Sequence, residues 1–365
     1  MSAVIKGIAV AIVVILAITT LYYFVENPGI LNGVTSSGSY QVPSVLTTSF
    51  SRNFTFASSE SFTFYLTPTV NDALQQSQVS NSHSHDVSVT TDTSDNRTYW
   101  KFSVGAGNSY VDINYNITSY GKSWQNIENS TGVPSQIPEF LKAEYDHHEY
   151  FNASGTNLEV INPSFFRNLT LKVTSNDTTV AEMLRSIYNY IVGNYNYNIT
   201  YNLGNVPLSA QQVYQIKEGD CEELSYLFES MSRSIGIPSW TQYGLLIQET
   251  GGQVRLGEHA WVQTYIPLSN SSGNYVNIDL TVEVGGQDLG RGFLVKYPNS
   301  IVEWTDNGNS SAMVAYHTEL TAPIGIHLTK EENDTVSSFN QSGSIALVQD
   351  NIFNLLMANT SRERR

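Results

Sequence analysis

The sequence predicts an α+β protein. A helix carrying the chain's single cysteine is followed by antiparallel strands carrying a histidine and an aspartate. A β-rich region and an N-terminal transmembrane helix precede them. Three observations predict this. Residues 7–25 are uncharged and nearly all apolar. Residues 45–170 hold runs of alternating apolar and polar residues broken by polar loops, the pattern of strands. After Asn176 the apolar period lengthens to that of a helix in two successive stripes, then returns to strands.

Read as a helix, residues 7–25 span roughly 28 Å, close to a bilayer core. Lys6 precedes the run and Glu26 follows it. A cleaved signal peptide is the competing reading. However, Tyr22, Tyr23 and Phe24 occupy the place of a small-residue cleavage site, and such aromatics suit a membrane interface. Sequons of the form N-x-S/T recur beyond the run, among them Asn53, Asn96, Asn116, Asn152, Asn198 and Asn333. Their density favours an exported, glycosylated surface. The expected order is a short cytoplasmic N-terminus (1–6), a transmembrane signal anchor (7–25), a linker (26–44), a β-rich extracellular domain (45–170), a catalytic-type domain (171–320) and a C-terminal extension with an amphipathic helix (321–365). The expected location is the cell membrane, crossed once, with the C-terminal domains outside.

Lysine and arginine total 18 against 33 acidic residues, a net charge of −15. With no basic patch, this excludes a nucleic-acid partner. About 340 residues beyond the apolar run suffice for two domains.

Residues 53–67 and 99–120 read as strands. The polar, serine-rich stretch 71–96 reads as a loop, with His83 and His85 in it. Residues 139–151, with Asp146, His147 and His148, read as a short helix or loop and lack the spacing of a zinc-protease helix. Val180, Met183, Leu184, Ile187 and Ile191 form one helical stripe, capped from Asn176, Asp177 or Thr178. A short helix capped by Ser209 follows. The next stripe is Leu224, Leu227, Phe228, Met231 and Ile235; it ends at Gly236 and Pro238, with Asp220 as its cap. Three strands follow, over 239–249, 258–268 and 275–284. The last two form a hairpin that brings His259 near Asp279. Residues 293–296 and 312–317 read as further strands, and 344–361 as the amphipathic helix.

Cys221, the one cysteine, cannot form an internal disulfide or a multi-cysteine zinc site. A buried apolar cysteine is the plain account. The sharper account is a nucleophile. Cys221 falls in the first turn of its helix, where unpaired N–H groups and the helix dipole favour a thiolate. Glu222 and Glu223 oppose that by like charge.

The segments "GDCEELSYLFESMSRSIGIP", "GEHAWVQTYI" and "YVNIDLT" occur in that order. Together they resemble the transglutaminase-like superfamily of the papain-like fold, and the chain looks like a microbial, membrane-anchored member. The matching residues are Gly219 and Cys221, Arg233 with Gly236, Ile237 and Pro238, His259 with Ala260 and Trp261, and Asp279 with Thr281. The resemblance spans about 178–284. It departs after Gly-Ile-Pro, where Ser239 and Trp240 replace the Ala-Arg of many relatives.

The resemblance implies a triad: Cys221 as nucleophile, His259 as base and then acid, and Asp279 orienting the imidazole. It implies an extracellular, membrane-anchored enzyme acting on amide bonds through a thioester, by hydrolysis or acyl transfer. The partners would be a protein or peptide substrate, or a cell-surface polymer. The oxyanion would sit near the Cys221 N–H. A second donor would come from the stretch beginning at Tyr195, or from Gln211 or Gln212, and Trp261 would line the substrate. No cofactor or metal is required. The alternative is a catalytically silent module of the same fold, serving in surface binding or adhesion.

Overall fold

Strand alternation builds the first part of the molecule. A computed structural model of the chain describes residues 39–94, 97–153, 156–198, 206–268, 272–282, 291–308 and 318–348. After a short strand at Ser39–Val42 come β1 (Val45–Ser58), β2 (Phe62–Leu66), β3 (Gln75–His83), β4 (Val87–Ser94), β5 (Arg97–Val104) and β6 (Gly107–Tyr120). They divide between two four-stranded sheets. One has the order Leu328–Ser342, β1, β6, β3, and the other Thr318–Thr321, β2, β5, β4. Inward positions of both sheets supply one apolar core that includes Phe50, Phe54, Phe64, Phe102, Val111 and Ile113. Burying each of these side chains stabilises by about 1.5–3 kcal/mol.

Two features depart from the sequence reading. Residues 75–94, read as a loop, form β3 and β4. In β3 burial alternates along the strand, yet only Val79 is a large apolar residue among its nine, so composition hides the alternation. Residues 328–342, placed by sequence in a C-terminal extension, pair along the length of β1. Residues 345–348 are strand rather than the start of a helix, since Ile345 and Leu347 repeat every second position. The rest of that expected helix, 349–361, lies outside the described residues.

Arg52 occupies an inward position of β1 and is 1% exposed. Its Nε donates to Glu332 at 2.9 Å, and Glu303 and Asp334 each lie 3.7 Å from its guanidinium. A buried cation is tolerable there because carboxylates surround it.

Next come α1 (Glu139–Tyr145), a hairpin of β7 (Glu149–Ala153) and β8 (Thr156–Ile161), and four helices: α2 (Pro163–Val173), α3 (Val180–Asn194), α4 (Ala210–Ile216) and α5 (Cys221–Arg233). The α3 cap is Thr179, one residue beyond the candidates; its side chain accepts from the Glu182 N–H, and Glu182 reaches back to the Thr179 N–H. Ser209 and Gln212 cap α4 in the same reciprocal way.

The third sheet is antiparallel, with β9 (Ser239–Thr250), β10 (Gln253–Pro267), β11 (Gly273–Ile278) and β12 (Ser300–Thr305) in the order β11-β10-β9-β12. Helix α5 packs on this sheet and against α2, α3 and α4. Its residues 222–233 are therefore buried on every side, not on one face as the stripe implied. The polar ones are accommodated by bonds: Ser225 Oγ donates to the Cys221 carbonyl at 2.7 Å, and Ser232 shares a hydrogen bond with Ser239. Residues Gln41–Leu347 form one compact unit, and only residues 39, 40 and 348 of the other unit are described.

The expected membrane helix, 7–25, lies outside the described residues. Among the described residues no helix is long and apolar enough to cross a membrane. The single-pass topology, the membrane partner and the membrane localisation expected from the sequence find no support among the described residues, where the findings support a mixed α+β fold.

Candidate functional site

The site forms where the start of α5 meets β10 and the end of β11. Asp220 is the cap of α5, with its carboxylate accepting from the Glu222 N–H at 3.0 Å and the Glu223 N–H at 3.2 Å. Glu223 in turn accepts from the Asp220 N–H and the Leu208 N–H. Cys221 is the first helical residue. It is half-buried and packs against Tyr243, Ala260 and Trp304. Burial, with the Asp220 charge added, raises the Glu223 carboxyl above its ordinary value.

His259 lies on β10 opposite Gly244 of β9. In β11, Ile278 pairs with Val262, so Asp279 follows diagonally across from His259 on the same face. His259 Nε2 and Asp279 Oδ2 are 2.8 Å apart. The other Asp279 oxygen accepts from the Thr281 N–H at 2.9 Å and the Thr281 hydroxyl at 2.8 Å. Burial works against a charged His259, but the Asp279 charge and hydrogen bond outweigh it, with a Cys221 hydrogen bond and charge adding to them, and the imidazole is raised well above its usual value. Burial would likewise raise Asp279. The His259 charge and hydrogen bond and the Thr281 donors outweigh it and hold the carboxyl below its ordinary value. Both shifts favour the charged pair, imidazolium and carboxylate.

Trp261 is buried, with its ring centroid 5.7 Å from that of His259. Its Nε1 donates to Gln242 Oε1 at 2.9 Å, and Asn277 donates to the same oxygen at 2.8 Å. Gln242 thus fixes the layer behind His259. Sequence reasoning missed it, because one glutamine in a buried strand carries no local signal.

The other expected lining residues are placed differently. Tyr195 is buried and accepts from Lys217 Nζ at 2.8 Å, next to Tyr190. Gln212 is spent on capping α4, and Gln211 is half-buried on that short helix. Tyr197, two residues past Tyr195, does reach the site. It pairs with Gly219 in a short parallel bridge. Burial raises its phenol, and Cys221, Asp220, Asp279 and Glu223 add to the effect.

A cavity opens at the pair. Its lining includes His259, Asp279, Thr281, Val282, Gln248, Tyr297, Asn299 and Ser300, and Cys221 is not part of it. Among the described residues, the Cys, His, Asp and Glu side chains whose ligand atoms converge within 4.8 Å of one another are Glu149, Glu229 and Asp306. The Arg233 guanidinium already fills the place of a cation there: it bonds Glu149, donates to Glu229 at 2.9 Å and lies 3.7 Å from Asp306. Cys221 is not among the residues of that cluster. The expectation of an active cysteine-dependent amidase, peptidase or acyltransferase working through a thioester finds no support in this cluster.

The sequence pattern of the transglutaminase-like superfamily matches residues 167–280. No curated protein matches the chain. Among solved structures, a candidate cysteine protease of Cytophaga hutchinsonii is 13% identical, with a TM-score of 0.58 over 82% of this chain and 93% of that one. The periplasmic domain of TgpA from Pseudomonas aeruginosa is 11% identical, with a TM-score of 0.33 over 66% of this chain and 91% of that one. At these identities the likeness is one of fold: the protein has a transglutaminase/papain-like α+β fold.

Proposed function

We propose that the protein is a binding module of the transglutaminase-like fold, catalytically silent at Cys221. The observation that carries this reading is the cavity lined by His259 and Asp279. The imidazolium and carboxylate cancel in net charge. The remaining polar lining, from Gln248, Thr281, Asn299 and Ser300, offers amide and hydroxyl groups. Such a cavity suits a neutral ligand rich in hydrogen-bonding groups. We assign the site to His259 and Asp279, with Cys221 at the helix start beside them and Trp261 supporting the imidazole.

The rate of Cys221 alkylation by iodoacetamide against pH tests the reading. A silent site labels no faster than a free thiol, with the same pH profile in the wild type and in His259→Ala. Fast labelling well below pH 8 that disappears in His259→Ala would sink the proposal, because it reports a thiolate held by the imidazole.

A further inference from the structure

A second constellation shares no residue with the cavity. His148 Nδ1 lies 2.6 Å from Glu159 Oε1, and His148 Nε2 lies 3.0 Å from Ser164 Oγ. Glu159 is also bonded by Asn162 Nδ2 at 2.7 Å and by the Tyr150 hydroxyl at 3.2 Å. Partial burial would raise the Glu159 carboxyl, but these donors hold it below its ordinary value. An ionised carboxylate only accepts, so Nδ1 donates to Glu159. The neutral form of the ring then offers Nε2 as an acceptor to the Ser164 hydroxyl, 3.0 Å away.

The three residues stand on anchored backbone. His147 donates to the Gly308 carbonyl at 2.6 Å, and Glu149 is bonded to Arg233, so both neighbours of His148 are fixed. Glu159 sits on β8, paired with Tyr150 of β7. Ser164 lies in the first turn of α2, a helix tied to α5 through Asn162 N–H to Ser230 Oγ at 3.0 Å and Arg167 to the Ser234 carbonyl at 2.7 Å. Ser164 itself is exposed.

We propose that Ser164, His148 and Glu159 form a second site, a serine nucleophile with its base and orienting acid, acting on small activated carboxylic esters. Ser164 Oγ bonds to the ester carbonyl carbon as its proton passes to His148 Nε2. The alcohol or phenol leaves with that proton, and the serine keeps the acyl group. Water then gives a proton to Nε2 and attacks the acyl carbon, and Ser164 departs with the proton returned. The sum is ester plus water to acid plus alcohol.

Esters fit better than amides for two reasons. The Phe165 N–H is already given to Asn162 Oδ1 at 3.0 Å, so it does not serve a developing oxyanion. Ser164 is also exposed, so the site is open to water. Both features demand a good leaving group.

The full chain treated with diisopropyl fluorophosphate tests the proposal directly, with the adduct located by mass spectrometry. The expected result is an adduct on Ser164 that forms roughly a hundredfold more slowly in His148→Ala. Hydrolysis of p-nitrophenyl acetate should fall by a similar factor in Ser164→Ala and by less in Glu159→Gln. An unmodified Ser164 in the wild-type chain, or an adduct whose rate ignores His148→Ala, would overturn the proposal and leave a surface hydrogen-bond network. The located adduct reads Ser164 alone, and the ester assay is made in a Cys221→Ala background, so failure here is separate from that of the binding-module reading.

Discussion

His259 and Asp279 hold a 2.8 Å hydrogen bond although neither is the direct cross-strand partner of the other. The diagonal works because both face one side of the sheet and Thr281 fixes the far oxygen of the aspartate. The two groups shift in opposite senses, which gives a signed prediction. The His259 value is raised, so its contribution is full below the unfolded imidazole value of about 6.5 and is lost as pH climbs through the raised value. The Asp279 value is lowered, so its contribution is present above about 3.9 and is lost as pH falls through the lowered value. Replacing Asp279 with Asn leaves a buried imidazole without its counter-charge and should cost about 3–5 kcal/mol. An NMR titration should find His259 still protonated above the free-imidazole range in the wild type and shifted down in Asp279→Asn.

The Arg233 cluster predicts the opposite of ordinary acid denaturation. Burial, only partly relieved by Arg233, pushes Glu229 up to about 8. Burial and the Glu149 charge raise Asp306 in the same sense. A raised carboxyl stabilises fully below its unfolded value, near 4.3, and that stability is lost as pH rises toward the folded value. The Tm should therefore decline between about pH 5 and pH 8, and Glu229→Gln should flatten the decline. A Tm that rises over this interval in the wild type would refute the assignment. Arg233→Met, which leaves three buried carboxyls without a cation, should destabilise by about 3–5 kcal/mol at pH 7.

Local chemistry was legible in the sequence where it depends on near neighbours. The cap at Asp220, the end of α5 near Gly236 and the His-x-Trp alternation of β10 are all set within a few residues. Partnerships across long separations were not. Glu149 and Arg233 meet from 84 residues apart, so Arg233 read only as part of a turn motif. Ser164, His148 and Glu159 likewise meet through a hairpin and a helix start that no spacing rule connects. The loop reading of 75–94 failed because an edge strand facing solvent needs few apolar residues to hold its place.

The cap of α5 can be tested alone. The Asp220 carboxylate satisfies two N–H groups, and Glu223 satisfies the Asp220 N–H in return. Asp220→Ala should cost about 1–2 kcal/mol, and Asp220→Asn, which keeps an acceptor oxygen, should cost less. Chemical denaturation of the three proteins gives the ranking. Equal loss in both variants would mean that the charge, and not the hydrogen bonds, holds this helix start.

Gly244 sets the spacing of the sheet that carries His259. It pairs with His259 on one side and with Val302 on the other, where the register of β9 against β12 shifts. A Cβ at this position would stand 1.8 Å from the Ile301 carbonyl oxygen and 2.9 Å from its carbon. Both are backbone atoms, so no rotamer relieves the clash and the two strands must separate. Gly244→Ala should therefore destabilise by about 3 kcal/mol or more, as overpacking against fixed backbone does at its upper end. The same separation would draw β9 away from β10 and loosen the His259 imidazole from Asp279. A thermal melt reads the first effect, and the His259 titration reads the second. A variant as stable as the wild type would show that β12 moves freely and does not brace the site.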